Sequence, residues 1–465
     1  MRIDQLPARG VHAVGVAGLE TATMVRYLVE HGTADIVLHD VAEDVEQAFA
    51  SAHRFQPVDH VERSRRAMRR CLDLRSGSRY LEGIEEASAV VAPVSWFLHA
   101  YRDRLAPLRE QFVLYPDACF DLFAGRIIAI TGTYGKTTTS RFAATLVDGH
   151  LCGNDREFTF DLDQLAGASA DECLVFESSN RHLANGFRRV VDVGVVTGIS
   201  LNHEPDHGSF EQYRATKYSM AEHCVDLLYH ASIPERFADA GSLVVKGSSY
   251  GPGGAWSMTG TTVSGPGGTG CVLPGTTRLD PLNRENALAA AAAALLSGAS
   301  TDDVERRSAD LAATRPRYRQ AREQRDGRTV INDAAACVPA GTAALVASLS
   351  EPFVLICGGD RQRYRPGEFD LLAQALAANR STAGVITTGP MAEPIEAALV
   401  TAGWNEFRRA ESVPHAVELA MAVPNVAVVF SPGCGTGNLF VDKYARGEEF
   451  DDAVDRLVPA GQAVP

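Results

Sequence analysis

The chain has 465 residues, enough for two or three domains that each bury a core of their own. Its formal net charge of -14, with no long basic stripe to offset it, argues against a partner held along a phosphate backbone, so nucleic acid is not an expected partner. Nine cysteines without a Cys-x-x-Cys pair or zinc spacing, no charged-then-apolar leader and no apolar run near the ~20 residues of a membrane helix together predict a soluble, cytoplasmic protein with no membrane partner.

The chain opens as a βα unit. Val11-His12-Ala13-Val14-Gly15-Val16 reads as a strand, Ala17-Gly18 as a turn, the segment from about Glu20 to Glu30 as a helix, and Ile36-Val37-Leu38-His39 as a strand ending at Asp40. This alternation predicts a parallel, Rossmann-like sheet, although Gly15-Val16-Ala17-Gly18 falls short of the Gly-x-Gly-x-x-Gly dinucleotide fingerprint. The dense basic cluster Arg63-Ser64-Arg65-Arg66-Ala67-Met68-Arg69-Arg70 reads as the solvated face of a helix. A break at Phe123-Ala124-Gly125 begins a central domain, inside which the Gly/Pro-rich residues 251–270 read as surface loops or short strands. A third βα series follows, with strands at Val330-Ile331-Asn332, Phe353 to Cys357, Gly384 to Thr387 and Val426 to Phe430. The expected fold class is therefore α/β in three domains: a Rossmann-like N-terminal domain over residues 1–124, a central P-loop ATPase-type parallel sheet over 125–312, and a Rossmann-like C-terminal domain over 313–465.

Within the central domain, Ile130-Thr131-Gly132-Thr133-Tyr134-Gly135-Lys136-Thr137-Thr138-Thr139 carries the most chemistry. A buried strand at Gly125 to Ile130 precedes it and a helix at Thr137 to Leu146 follows, the strand, loop and helix that a phosphate cradle needs. Amides of Gly132, Thr133, Gly135 and Thr138 would face the phosphates of ATP, Lys136 would neutralise them, and the Thr137 hydroxyl would ligate magnesium. The spacing departs from Gly-x-x-x-x-Gly-Lys-[Ser/Thr], which would place a glycine where Ile130 stands, and this disfavours a phosphotransferase.

The pattern Thr-Gly-Thr-x-Gly-Lys-Thr-Thr resembles the Mur ligase superfamily, ATP-dependent enzymes that make peptidoglycan precursors, folylpolyglutamates and related amides. The resemblance extends over most of the chain and implies the roles that follow. Phe176-Glu177-Ser178-Ser179 matches a Glu-Ser-Ser element that binds magnesium, making Glu177 a metal ligand and Ser179 a substrate contact. Asn202-His203-Glu204-Pro205-Asp206-His207-Gly208-Ser209-Phe210 matches the segment of the metal histidine; His203 is favoured on alignment and on its distance from Lys217, with His207 as the alternative. Glu211 to Lys217 matches the element whose lysine is carbamylated, so Lys217 would supply an anionic oxygen to metal and substrate. Asn283 and Asn286 match a helix start near adenine, although the family's histidine is replaced by Leu282. Arg317, with Arg319 nearly equal, matches an arginine that reaches the γ-phosphate, and Asp333 matches the aspartate that holds the ribose. In such enzymes a carboxylate attacks the γ-phosphate and an amine then displaces phosphate, with closure of the C-terminal domain completing the site.

The order of elements is nearest to that of the UDP-N-acetylmuramoyl-L-alanine:D-glutamate ligases, but the substrate-reading positions differ. Ala334-Ala335-Ala336-Cys337 stands where those ligases have Ser-Lys-Ala-Thr, Asp40-Val41-Ala42 where they have Asp-Thr-Arg, and Ala92-Pro93-Val94 where they have Ser-Pro-Gly. Thr436, Asn438 and Lys443, where the family holds the incoming amino acid, are candidate substrate contacts, and Lys443 is the candidate replacement cation. The expected function is a specialised ligase that joins an amino acid to a small carboxylate in a natural-product pathway, such as antibiotic biosynthesis; the alternative is the cell-wall D-glutamate ligase. A non-catalytic nucleotide-binding protein is the reading of another class, and the retained Thr137, Glu177, His203 and Lys217 argue against it.

Overall fold

A computed structural model describes residues 1–33, 35–71, 73–98, 101–158, 160–199, 209–233, 246–314, 316–360 and 367–458. Its first sheet has five parallel strands: β1 (Val11–Val14), β2 (Ile36–Asp40), β3 (Asp73–Ser76), β4 (Ala89–Ala92) and β5 (Phe112–Leu114), in the order β3-β2-β1-β4-β5. A parallel strand covered on both faces reads as a near-continuous apolar run. Accordingly β1 and β4, at the centre, are buried along their whole length.

The second sheet is six-stranded and also wholly parallel. Its strands are β6 (Arg126–Thr131), β7 (His150–Gly153), β8 (Cys173–Glu177), β9 (Val191–Val196), β10 (Cys224–His230) and β11 (Lys246–Tyr250), in the order β11-β10-β9-β6-β8-β7. Both sheets belong to one compact unit, and one apolar core runs from Val11 and Val91 through Phe120 to Phe176 and Leu227. Arg26, buried on the helix Leu19–Glu30, also joins them: its guanidinium donates to the Phe160 carbonyl at 2.9 Å and pairs with Asp161 at 3.2 Å. The basic cluster does lie on a helix, Val58–Arg69, where Arg63 pairs with Glu30 and Asp163, and Arg65 with Glu46 and Glu62. The Gly/Pro-rich segment forms a small antiparallel sheet of β12 (Ser257–Thr259), β13 (Thr262–Ser264) and β14 (Gly270–Val272). No helix among the described residues is long and apolar enough to cross a membrane.

The other compact unit holds the third large sheet. Its strands are β15 (Ala321–Arg325), β16 (Arg328–Asn332), β17 (Phe353–Gly358), β18 (Thr382–Thr388), β19 (Phe407–Ala410) and β20 (Ala427–Phe430), in the order β15-β16-β20-β17-β18-β19. Five of them are parallel, and β15 joins β16 antiparallel at one edge, which modifies the purely Rossmann-like expectation. The cause is local: Arg325 faces Arg328, and Asp326-Gly327 between them takes left-handed φ values of 50° and 74°, the two-residue turn that closes a hairpin.

Arg446 locks the end of this sheet. Buried on the helix Lys443–Leu457, it donates to the Ala334 carbonyl after β16 and to the Cys434 and Gly435 carbonyls after β20, at 2.5 to 3.0 Å. Replacement by an apolar side chain leaves several buried carbonyls without donors, at about 1–3 kcal/mol each. Arg446→Met is therefore expected to destabilise this unit by at least ~2 kcal/mol. Faster hydrogen exchange across the Lys443–Leu457 helix, with exchange in β6 unchanged, is the measurement that checks it.

Candidate functional site

The phosphate loop occupies the point where the second sheet reverses its strand order, between β6 and β9, the usual ligand crevice of a doubly wound sheet. The loop from Gly132 to Gly135 leads straight into the helix Lys136–Val147. Gly132 (φ 145°) and Gly135 (φ 81°) both adopt backbone conformations that other residues rarely take. Gly132 is also held tightly: a Cβ there would stand 2.0 Å from the Thr197 Oγ1, just past β9. The Thr133 N–H donates to the Gly198 carbonyl at 2.6 Å, and the Thr133 hydroxyl meets the Tyr213 hydroxyl at 2.9 Å. Gly135 caps the helix without a side chain, and the positive end of the helix dipole lies at this loop. Lys136 reaches back over the loop, its Nζ donating to the Gly132 and Thr133 carbonyls at 2.9 and 3.2 Å.

Three buried groups converge beside this loop. Glu177 ends β8 in register with Ile130 of β6, and the Ser178 N–H donates to the Ile130 carbonyl. The carboxylate accepts from Asn154 Nδ2 at 3.1 Å through Oε1, while Oε2 is buried without a hydrogen-bond partner. Thr137 Oγ1 is buried and equally without a partner. Lys217, on the helix Phe210–Tyr218, inserts a fully buried ammonium that donates to Thr131 Oγ1 at 2.9 Å. Burial, aided by the nearby positive charge of Lys136, pushes Lys217 well below the usual lysine range, and Glu177 opposes this. Unsatisfied buried oxygens are costly, and a divalent cation ligated by hard oxygen donors removes that cost. The oxygen donors of Thr137 and Glu177 therefore fit a divalent cation such as magnesium. His203 and His207 lie outside the described residues.

Sequence reasoning gave no role to Asn154, Thr197 and Tyr213, and none to the Thr131 side chain, all of which contact these groups. They come from four different elements, and only the folded sheet brings them together. Ser179 is placed as the N-cap of the helix Asn180–Asn185, its hydroxyl accepting from the His182 N–H while His182 Nδ1 accepts from the Ser179 N–H. Gly132→Ala is expected to combine backbone strain with the overlap at Thr197, costing about 3 kcal/mol of stability. Binding of magnesium and a non-hydrolysable ATP analogue, followed by calorimetry, should fall with it.

The second compact unit carries the other candidates. Asn283 is buried at the start of the helix Pro281–Leu296; its Nδ2 donates to Asp280 at 2.7 Å, and its Oδ1 accepts from Asn286 at 3.2 Å. Asp333 follows β16 and is fully buried. It accepts from the Gln320 N–H at 3.1 Å and from Ser431 Oγ at 2.7 Å, and Ser431 in turn meets the Thr342 hydroxyl at 2.8 Å. Arg317 is exposed, whereas the Nε of Arg319 is buried without a partner, which favours Arg319 as the arginine aimed inward. Lys443 lies in the first turn of its helix with its ammonium 4.8 Å from the Tyr444 ring centroid, Thr436 is half-buried, and Asn438 is exposed with its N–H on Asp360 at 2.9 Å.

Burial pushes the Asp333 carboxyl up from 3.8 to about 7, against the opposing hydrogen bond from Ser431 and the charge of Arg319. A raised acid binds its proton more tightly in the folded state, so stability falls as pH rises from about 4 towards 7 and levels off above. Asp333→Asn is expected to remove that slope. Thermal melts of wild type and variant between pH 4 and 8 provide the comparison.

This arrangement, a glycine-rich loop at a switch point with buried oxygens and a lysine beside it, is a candidate site for a phosphate and its cation in an α/β fold. Residues 130–231 match the Mur ligase middle domain, which bears out the resemblance carried by the loop. Along 472 aligned residues the chain is 28% identical to the UDP-N-acetylmuramoylalanine–D-glutamate ligase of Symbiobacterium thermophilum, covering 96% of this chain and 97% of that one. UDP-N-acetylmuramate–alanine ligase of Thermotoga maritima shares the fold with a TM-score of 0.59 at 16% identity, over 96% and 99% of the two chains. A bifunctional folylpolyglutamate synthase/dihydrofolate synthase, solved with Mn, AMPPNP and L-glutamate bound, shares it with a TM-score of 0.52 at 16% identity over 75% and 93%. The chain thus carries a Mur ligase middle domain within the α/β architecture of Mur ligases.

Proposed function

We propose that the protein is an ATP-dependent ligase that joins a carboxylate to an amine and releases ADP and phosphate. The observation that carries this reading is the pair of partnerless buried oxygens, Thr137 Oγ1 and Glu177 Oε2, beside a phosphate loop. In the first step a carboxylate oxygen bonds to the γ-phosphorus of ATP as the bond to ADP breaks. In the second the amine nitrogen bonds to the acyl carbon, phosphate leaves, and the nitrogen loses its proton. Lys136, Thr133 and the helix N-terminus bind and orient the phosphates, so that alignment and charge screening account for the acceleration. Magnesium would be held by Thr137, Glu177 and the carbamate of Lys217, with His203 or His207 as the candidate histidine outside the described residues, and would supply neutralisation of phosphate charge.

Burial favours the neutral amine of Lys217, the form that attacks carbon dioxide; its nitrogen–carbon bond forms, a proton is released, and the resulting carbamate would be the anionic ligand. In the other unit we assign Arg317 or Arg319 to the γ-phosphate, Asp333 to the ribose, and Asn283 and Asn286 to the adenine. We place the domain borders at 124/125 and 312/313, so that each large sheet marks one domain.

The relative in Symbiobacterium, matched almost end to end, supports UDP-muramoyl-alanine and D-glutamate as substrates, and nothing in the comparisons supports a natural-product pathway. Specific residues favour a different pair. Both Asp40 oxygens are engaged by the chain itself, accepting from the Ala17 and Ala42 N–H groups at 2.8 and 2.9 Å, and Ala334-Ala335-Ala336 offers no cation to an acidic side chain.

ADP release is expected only when a carboxylate and an amine are both present, and Lys136→Ala should lower it at least ~100-fold. Release that ignores the Lys136 substitution sinks the ligase reading. With ¹³C-bicarbonate, wild type should show a carbamate signal by NMR that Lys217→Met lacks, and activity should drop when dissolved carbon dioxide is removed.

A further inference from the structure

The first sheet places a carboxylate where doubly wound sheets ordinarily receive an anion. Its strand order reverses between β1 and β4, and ligands of such sheets enter outside the carboxyl ends of the strands at that reversal. The Gly15–Gly18 turn after β1 lies close against β4's exit: Gly15 has φ 71°, and a Cβ on it would stand 3.3 Å from Pro93 Cγ. The helix Leu19–Glu30 starts there, capped by Gly18 without a side-chain hydrogen bond, so its partial positive charge faces the crevice.

Glu20, in the first turn, spans the gap. Its Oε2 accepts from the Val94 N–H at 3.4 Å and its Oε1 from His182 Nε2 at 3.0 Å. His182 is completely buried, and because its Nδ1 accepts from the Ser179 N–H, the proton sits on Nε2 and is donated to Glu20. The same short helix grips Val94 a second time, through Asn185 Nδ2 to the Val94 carbonyl at 2.9 Å, and Trp96 Nε1 donates to Asn185 Oδ1 at 2.8 Å. A solvent-facing glutamate that merely complemented the helix dipole would need none of these partners.

We propose that Glu20 is a specificity determinant of the carboxyl-donor site: its fixed carboxylate takes the anion position of the first sheet and turns away donors that carry a nucleoside diphosphate there. The donor then presents a neutral or cationic group to this crevice. The assignment of the crevice to the donor rests on the ligase reading, whereas the exclusion of diphosphate rests on the geometry of Glu20 alone. An incoming diphosphate meets a like charge at short range, and displacing Glu20 to admit it strips the His182 and Val94 donors of their acceptor.

The test uses the full chain saturated with magnesium and AMPPNP, so that the phosphate loop is filled, and titrates it with uridine diphosphate by calorimetry. Wild type should bind it no better than uridine, while Glu20→Gln and Glu20→Ser should each gain about tenfold or more for the diphosphate with uridine unchanged. Wild-type affinity for uridine diphosphate well above that for uridine overturns the proposal, even when both variants fail to fold. Folded variants that gain nothing overturn it as well. Failure of AMPPNP to bind in the first step counts against the ATP reading instead, and because wild type and the Glu20 variants share the same phosphate loop, the difference between their affinities for uridine diphosphate then decides the role of Glu20.

Discussion

The site depends on how closely the ends of β6 and β9 approach each other. Gly132 lies so near Thr197 that no side chain fits between them, and the Thr133 N–H, bonded to the Gly198 carbonyl, closes the gap. That closeness bends the loop round into the helix that starts at Lys136. Glu177 and Lys217 are placed relative to this junction: Glu177 lies across from Ile130, and Lys217 rests its Nζ on Thr131. A wider junction would leave the amides, the carboxylate and the lysine as three unrelated groups.

What the junction assembles is electrostatically unfinished. Folding has buried a carboxylate oxygen, a hydroxyl and an amine in one place without enough partners among themselves. Such an arrangement costs stability in the bare chain and is recovered only on binding, which is how a site keeps affinity for a phosphate-bound cation rather than for its own side chains. The second unit shows the same economy in another form. Asp333 is held by Ser431 and the Gln320 amide in surroundings that favour its neutral form, while Arg446 ties the two loops that follow β16 and β20 into one piece. Position is secured by the guanidinium, and the chemistry is left to the carboxyl.

The first sheet repeats the doubly wound plan with its own polarity. In the first sheet the position after β1 is closed by Glu20, braced by a histidine from the helix that follows β8. Two crevices of the same topology thus acquire opposite preferences through the presence or absence of one carboxylate.

Much of this was legible in the chain. The phosphate loop, its strand and its helix follow from glycine spacing and apolar runs, because those signals are local and need no partner strand. Glu177 and Lys217 were reached through motif resemblance, and the folded sheet buries both beside Thr131, the residue that opens the loop pattern. The hairpin of β15 and β16 carried its own signal in Asp326-Gly327, and yet the parallel context of the other strands concealed it. Glu20 read simply as the start of a helix; its partners Val94 and His182 lie 74 and 162 residues away. The sequence by itself determined the elements and the nucleotide loop, since backbone propensity and apolar period act within a few residues. Only the tertiary structure decided which buried polar atoms lack partners and which carboxylate guards a crevice, because burial and hydrogen bonding are properties of residues that meet across the fold.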